Sequence, residues 1–249
     1  MDTKENEKKY ISKLTDKEKK WVETKPFGDY NLHESFLRIR DFSYIVELLS
    51  LESTKHLSVL DLGCGSGWTS IFLAKLGCSV TGVDISEEMI DIAKENAKKE
   101  NNLPKGKIKF VAADIEKISF KNQFDRVLIY DGLHHCPDEK KVLKNIFKAL
   151  KPGGMVLVVE PNKRHGRDKN VQEISKKFGV LEKGYSPLYL KKILTKIGFK
   201  DIARYHCDYG INRPLDNKFK SFFIYFAKLI VNRMVFSYYV SQVWIRAKK

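Results

Sequence analysis

The stretch Val59-Leu60-Asp61-Leu62-Gly63-Cys64-Gly65-Ser66-Gly67 constrains this chain more than any other. Its apolar run reads as a strand passing straight into a tight loop. The alternating glycines let that loop take up backbone angles closed to other residues and bring its N–H groups against a ligand. A helix then begins at about Trp68 and runs through Ile71, Phe72 and Leu73 to Leu76, so its unpaired N-terminal amides open onto the same place. Strand, glycine loop and helix in that order open a βαβ unit and predict an α/β fold.

The spacing of the glycines separates two ligand classes. A dinucleotide fingerprint is G-x-G-x-x-G, whereas Gly63, Gly65 and Gly67 make G-x-G-x-G, with tryptophan at position 68. Asp61, two residues before the first glycine, would repel a diphosphate but hold a cation. At this point the sequence resembles the class I, Rossmann-like S-adenosylmethionine-dependent methyltransferases, in particular the small-molecule branch. Their first motif is an acidic residue followed by G-x-G-x-G.

The following segments keep the order of that family. Cys78 to Asp84 reads as a second strand, and Asp84 falls about 20 residues beyond Asp61, the interval at which a carboxylate meets a ribose. Its two oxygens suit two vicinal hydroxyls. Ser86 supplies the cap of the next helix, Glu87 to Lys99, which leaves Asp84 for a ligand. Lys107 to Ala112 reads as a third strand, followed by Asp114-Ile115. Phe124 to Tyr130 is a fourth, entering Asp131-Gly132-Leu133-His134-His135-Cys136-Pro137. Polar groups there stand at the carboxyl end of a central parallel strand, where open α/β sheets bind ligands. Asp138 caps a helix to Leu150, and a Lys151-Pro152-Gly153-Gly154 turn leads into a fifth strand, Met155 to Pro161. The resemblance spans roughly residues 57 to 160.

The resemblance implies a single α/β domain with a seven-stranded, mostly parallel sheet, helices on both faces and an antiparallel last strand. It implies S-adenosyl-L-methionine as cofactor and S-adenosyl-L-homocysteine as product. Asp61 would face the cationic amino-acid end, and the backbone of Gly63, Cys64, Gly65 and Gly67 would approach the ligand. Asp84 would take the ribose, with Ile85 and Met89 beside it. Asp114 and Ile115 would take the adenine, and Tyr130 would lie beside the methionine moiety. For an acceptor that must lose a proton, His135 is the first candidate base, with His134 second and Asp131 third. A metal centre drawn from His134, His135, Cys136 and Asp131 is not expected, because adjacent residues diverge and no second ligand cluster is apparent.

The rest of the chain divides around this core. Residues 1–50 read as an N-terminal helical or lid segment: a charged first stretch of about twenty residues expected as a frayed helix or mobile arm, an aromatic loop carrying Trp21, Phe27 and Tyr30, and a helix from Phe36 to Leu49. Residues 51–249 read as the methyltransferase-like domain. Asn162 to Gly184 is polar and basic, a loop and short helix placed near the acceptor mouth. Ser186-Pro187 starts a helix that Gly198 closes. Phe199 to Cys207 and Tyr239 to Arg246 are the last two strands. Between them, residues 208–237 replace the expected hairpin of two to five residues with about thirty. Phe219, Phe222, Phe223, Phe226 and Ile230 share one helical face there, interrupted by Lys220, Lys228 and Arg233. The segment is too broken to span a membrane. It reads as a helical insertion packed on the core, with the wall of a greasy acceptor pocket or a peripheral membrane contact through 219–236 as alternatives.

Composition narrows the function. At 249 residues, 43% hydrophobic and 12% aromatic, the chain builds one substantial core. Its net charge of +15 suits an anionic partner, but the lysines are dispersed and no nucleic-acid motif accompanies them. Methyl transfer to an oxygen or nitrogen of a small molecule, sugar-linked or lipid-like acceptor is therefore the leading expectation. An RNA methyltransferase is the alternative, and a non-catalytic S-adenosylmethionine-binding regulatory or assembly protein is the alternative of another class. Four dispersed cysteines and a charged N-terminus without an apolar signal core predict a reduced, cytoplasmic setting. Oligomeric state is not encoded legibly.

Overall fold

The computed structural model describes residues 3–28, 32–51, 56–104, 107–205 and 242–249. The expected insertion at 208–237, with its 219–236 face, lies outside the described residues, as do Tyr30 and Cys207.

Among the described residues three α-helices precede the sheet: α1 (Thr3–Lys8), α2 (Asp16–Glu23) and α3 (Leu32–Leu48). The sheet and its helices follow as β1 (Ser58–Leu62), α4 (Trp68–Lys75), β2 (Ser79–Asp84), α5 (Glu87–Lys99), β3 (Ile108–Ala112), β4 (Phe124–Tyr130), α6 (Glu139–Ala149), β5 (Leu150–Pro161), α7 (Lys169–Phe178), α8 (Pro187–Ile197), β6 (Lys200–Tyr205) and β7 (Gln242–Lys248). The strand order is β3-β2-β1-β4-β5-β7-β6. β1 to β5 run parallel, and β7 is antiparallel to both β5 and β6.

Local chemistry sets the helix ends. Ser86 Oγ accepts the Met89 N–H, Asp138 Oδ1 the Lys141 N–H, and Ser186 Oγ the Tyr189 N–H, each replacing a partner that a first helical turn lacks. Gly198, in the left-handed region, closes α8. Around the Lys-Pro-Gly-Gly segment the extended conformation begins at Leu150 rather than Met155, and pairing slips register between Phe124 and Arg126.

Alternation along the strands feeds two cores. On one face Leu60, Leu62, Val127, Ile129, Val156 and Val158 pack against Val142, Leu143 and Ile146 of α6 and Leu190 and Leu194 of α8. On the other, Val59, Val80, Leu128, Leu157 and Trp244 meet Ile45 and Leu48 of α3 and Trp68 and Leu73 of α4. A third, smaller core docks the N-terminal arm: Ile11, Leu14 and Val22 bury against Phe178 and Val180. Within residues 3–20, part of the stretch expected as a frayed helix or mobile arm, Ile11 and Leu14 are buried by side chains that lie far along the chain.

The sheet's direction changes beside β1, whose neighbours are β2 and β4. The register sets Leu62 beside Val83 and Ile129, so these three strands end together and open a crevice at their carboxyl edge.

Candidate functional site

The crevice is a cavity walled by the glycine loop, the strand ends and the N-terminal helices. Of the residues expected in the site, Gly63, Cys64, Gly65, Asp84, Ile85, Met89, Asp114, Ile115, Tyr130, Asp131 and His135 line it together. Asp61, Gly67 and His134 do not.

The glycine loop is held from below. Gly63 and Cys64 both donate N–H groups to the Val83 carbonyl, at 2.8 and 3.1 Å. Gly65 has φ +52°, and a Cβ there would come within 3.0 Å of Met89 Cε. Gly67 has φ +81°, and its Cβ would strike Ala93 and the Phe110 ring at 2.8 to 2.9 Å. The third glycine therefore lets α5 and β3 close under the loop rather than facing the cavity.

Asp84, at the end of β2, accepts the Gly65 N–H on Oδ2 at 2.9 Å and the Ser86 N–H on Oδ1 at 3.0 Å. Each oxygen keeps a further lone pair for the cavity. Burial pushes its carboxyl above the usual range, and the two amides offset this only in part. Asp61 does not line the cavity: one of its oxygens accepts the hydroxyls of Thr69 and Ser70 at 2.6 Å each. It fastens β1 to the first turn of α4 from inside the core.

At the adenine-side end expected from the sequence, Asp114 does not stand alone. Lys4 Nζ of α1 reaches Asp114 Oδ2 at 2.7 Å and Glu116 Oε2 at 2.8 Å. Asp114 Oδ1 takes the Glu116 N–H at 2.9 Å. Lys4 and Glu116 were invisible as site residues in the sequence, since nothing local marks a lysine in a charged arm.

At the opposite end Tyr130 lines the cavity with its ring and donates its hydroxyl to Asp41 of α3 at 2.7 Å, so α3 is tied across the site. Asp131 follows with φ +57°, a left-handed conformation that aspartate tolerates better than most residues. Its side chain remains 42% exposed. Burial would raise its carboxyl, but the neighbouring His134, Arg38, His135 and Lys25 outweigh this and hold it below the usual carboxylate range. Lys25 and Arg38, both lining residues, were not singled out in the sequence.

The two histidines part company. His134 is buried, and its Nδ1 donates to Glu160 Oε2 at 2.8 Å. Glu160, fully buried at the end of β5, also accepts the N–H groups of Gly132, Leu133 and His134. This carboxylate shapes the turn after β4. His135 faces the cavity, with Nδ1 2.9 Å from the Leu181 carbonyl and 3.2 Å from Glu7 Oε1 of α1. Burial would lower its pKa, but Glu7, with Glu182 and Asp131, raises it to about 10. Imidazolium is its form at neutral pH.

His134, His135 and Glu182 bring one donor atom each within 4.8 Å of one another. Glu182 already accepts from His165 Nε2 at 2.7 Å. Cys136 directs its thiol to the Gly132 carbonyl at 3.6 Å.

Comparison with known proteins gives this geometry a family. Residues 59–154 match the model of a methyltransferase domain family. This segment is a methyltransferase domain. Within the chain that carries it, 112 residues are 41% identical to a ubiquinone biosynthesis O-methyltransferase of Coxiella burnetii, covering 45% of each chain. A stretch of 142 residues is 40% identical to a demethylmenaquinone methyltransferase of Leptospira interrogans, covering 55% of each. The chain thus spans about half the length of the curated relatives it matches. Among solved structures, magnesium protoporphyrin IX methyltransferase of Synechocystis with bound SAM shares the fold at TM-score 0.66 and 19% identity, over 100% of this chain and 98% of that one. The methyltransferase domain therefore sits in the class I, Rossmann-like architecture expected from the glycine loop.

Proposed function

We propose that this chain is an S-adenosylmethionine-dependent methyltransferase that methylates an oxygen or nitrogen of a small-molecule acceptor, sugar-linked and lipid-like compounds included. The observation that carries this reading is Asp84. It is a strand-end carboxylate braced by two backbone N–H groups, with acceptor capacity left toward a cavity that the glycine loop keeps open. The names of the relatives, an O-methyltransferase of ubiquinone biosynthesis and a demethylmenaquinone methyltransferase, support a small acceptor.

The residues present fit the cofactor. Gly65, at φ +52°, lets the loop turn beside Met89 along the cavity wall, Asp84 offers two oxygens to vicinal hydroxyls, and Asp114 offers one to an exocyclic amine by sharing or releasing Lys4. Asp131, ionised and partly exposed, faces the end where an ammonium group is expected. When bound, the cofactor would supply an electrophilic methyl group on a sulfonium.

The chain's own task is then alignment, which contributes ~7–11 kcal/mol in well-oriented systems. Tyr130 and Trp68, whose ring centroids lie 5.9 Å apart and perpendicular, form a stiff wall for it. Of the three candidate bases, His135 and Asp131 are weak at neutral pH. His135 is held protonated while Glu7 stays in place, and Asp131 is held ionised with its proton affinity lowered. His135 serves as a hydrogen-bond donor to the acceptor, and His134, committed to Glu160, is a positioning residue.

Calorimetry with S-adenosylmethionine, S-adenosylhomocysteine and a nicotinamide dinucleotide tests the reading. Micromolar binding of the first two alone is expected, followed by transfer of a labelled methyl group to small acceptors. No binding by a folded sample would remove it.

A further inference from the structure

The cavity is polarised. Asp84, Asp114 and Glu116 gather at one end with Lys4. At the other, Lys25 and Arg38 stand on the same aromatic ring, their charged groups 4.2 and 5.1 Å from the centroid of Trp21. Neither is neutralised by a close partner. Among the described residues Lys25 forms no ion pair. Arg38 reaches Glu34 only at 4.0 Å, and its buried Nε has no hydrogen-bond partner among the described residues. Unpaired charge in a half-buried wall is costly unless a ligand of opposite sign completes it.

We propose that Lys25 and Arg38 form a seat for an anionic oxygen group, a carboxylate, phosphate or phenolate, of the methyl acceptor. The inference rests on the methyltransferase reading above and deepens it. Charge balance separates this ligand from the cofactor. Around this end the cations Lys25, Arg38 and His135 face the carboxylates of Asp131, Glu34 and Glu7, so the wall by itself is close to balanced. The amino-acid end of the cofactor is a zwitterion and changes nothing in that sum, while the sulfonium adds one more positive charge. An anionic acceptor brings the site toward neutrality. Where the seated oxygen is itself the atom methylated, it carries no proton to lose, and no strong base is required of His135 or Asp131.

Lys25 is poised for this. Burial, then the neighbouring Arg38, lower its pKa to about 7, with Asp131 and Glu34 pulling the other way. Seating an anion restores its charge, so binding near neutral pH takes up a fraction of a proton. Besides these groups, His135 acts on Asp131 from the turn after β4.

The test uses the full chain, Lys25→Met, Arg38→Met and the charge-keeping Arg38→Lys, each checked for an intact thermal transition. S-adenosylhomocysteine and 5′-methylthioadenosine, which lacks the amino-acid group, are titrated first. Benzoate and inorganic phosphate are then titrated into the S-adenosylhomocysteine-saturated protein, in buffers of different ionisation enthalpy. The expected result is anion binding with proton uptake, weakened roughly tenfold or more in both methionine variants and largely kept in Arg38→Lys. Cofactor-product affinity changes far less. If the methionine variants lose S-adenosylhomocysteine but keep 5′-methylthioadenosine, the pair holds the cofactor's own carboxylate and the proposal is overturned. Anion binding that is absent, or equal in all four proteins, overturns it too. Failure of S-adenosylhomocysteine to bind even the unaltered chain is a different outcome, and it removes the parent reading together with the seat.

Discussion

Lys4 Nζ lies 2.7 Å from Asp114 Oδ2, joining the first helix of the chain to the loop beyond β3. The same ammonium reaches Glu116, so one cation holds two partly buried carboxylates at the mouth of the cavity. An amine directed at Asp114 competes with it. Lys4→Met is therefore expected to tighten S-adenosylhomocysteine binding a few-fold, about 0.5–1 kcal/mol, by calorimetry. Weaker binding would mean that Lys4 closes over the ligand instead of competing with it.

Asp84 gives a second prediction. Asp84→Ala removes the acceptor of the Gly65 and Ser86 N–H groups as well as the expected ribose contact. Affinity for S-adenosylhomocysteine should fall by about 1–3 kcal/mol or more, and amide exchange at Gly65 and Ser86 should quicken. Asp91→Ala, on the exposed side of α5, is the control and should change neither.

Glu7 controls His135. With the folded value raised to about 10 from an ordinary 6.5, the pairing contributes stability that is fully present below about pH 6.5 and lost as pH rises through about 10. Ring resonances followed by NMR should show His135 still protonated at about pH 8 in the unaltered protein, and titrating much nearer its ordinary value in Glu7→Gln. The stability difference between the two should be largest in mild acid and shrink toward pH 10. A His135 titration unmoved by the substitution would show that Glu7 does not set its charge.

Glu160 should be the most damaging of these positions to truncate. Its carboxylate takes three backbone N–H groups and His134 Nδ1 in a fully buried place. Glu160→Ala leaves all four donors without it, and urea unfolding should report a loss of about 3 kcal/mol or more. Glu160→Gln keeps the shape but turns an N–H toward other donors, so it should also destabilise, by less.

What the sequence made legible was local. Gly63, Gly65 and Gly67 announce a loop, Ser86, Asp138 and Ser186 announce helix starts, and each signal acts within a few residues of its cause. The seven-stranded, mostly parallel sheet and its antiparallel last strand followed from the resemblance those signals carried. Contacts between distant segments were another matter. Lys4 meets Asp114, Glu7 meets His135, and Ile11 buries against Phe178. No periodicity or spacing encodes such pairs. Asp61 shows the same limit from within a motif, because an acidic residue beside a glycine loop reads alike whether it faces the cavity or, as here, the hydroxyls of Thr69 and Ser70. Lys25 and Arg38 carried no mark in the sequence, since their meaning lies in sharing the Trp21 ring and lacking close partners.

Two of the cavity's lining residues are thiols. Cys64 in the glycine loop and Cys136 beyond the Leu133–His135 turn are buried, and burial pushes both well above the ordinary cysteine range. Closed over, neither is a competent nucleophile. The two sulfurs thus report on access to the cavity: a ligand that fills it is expected to slow their consumption by a small alkylating reagent, without any label having been introduced.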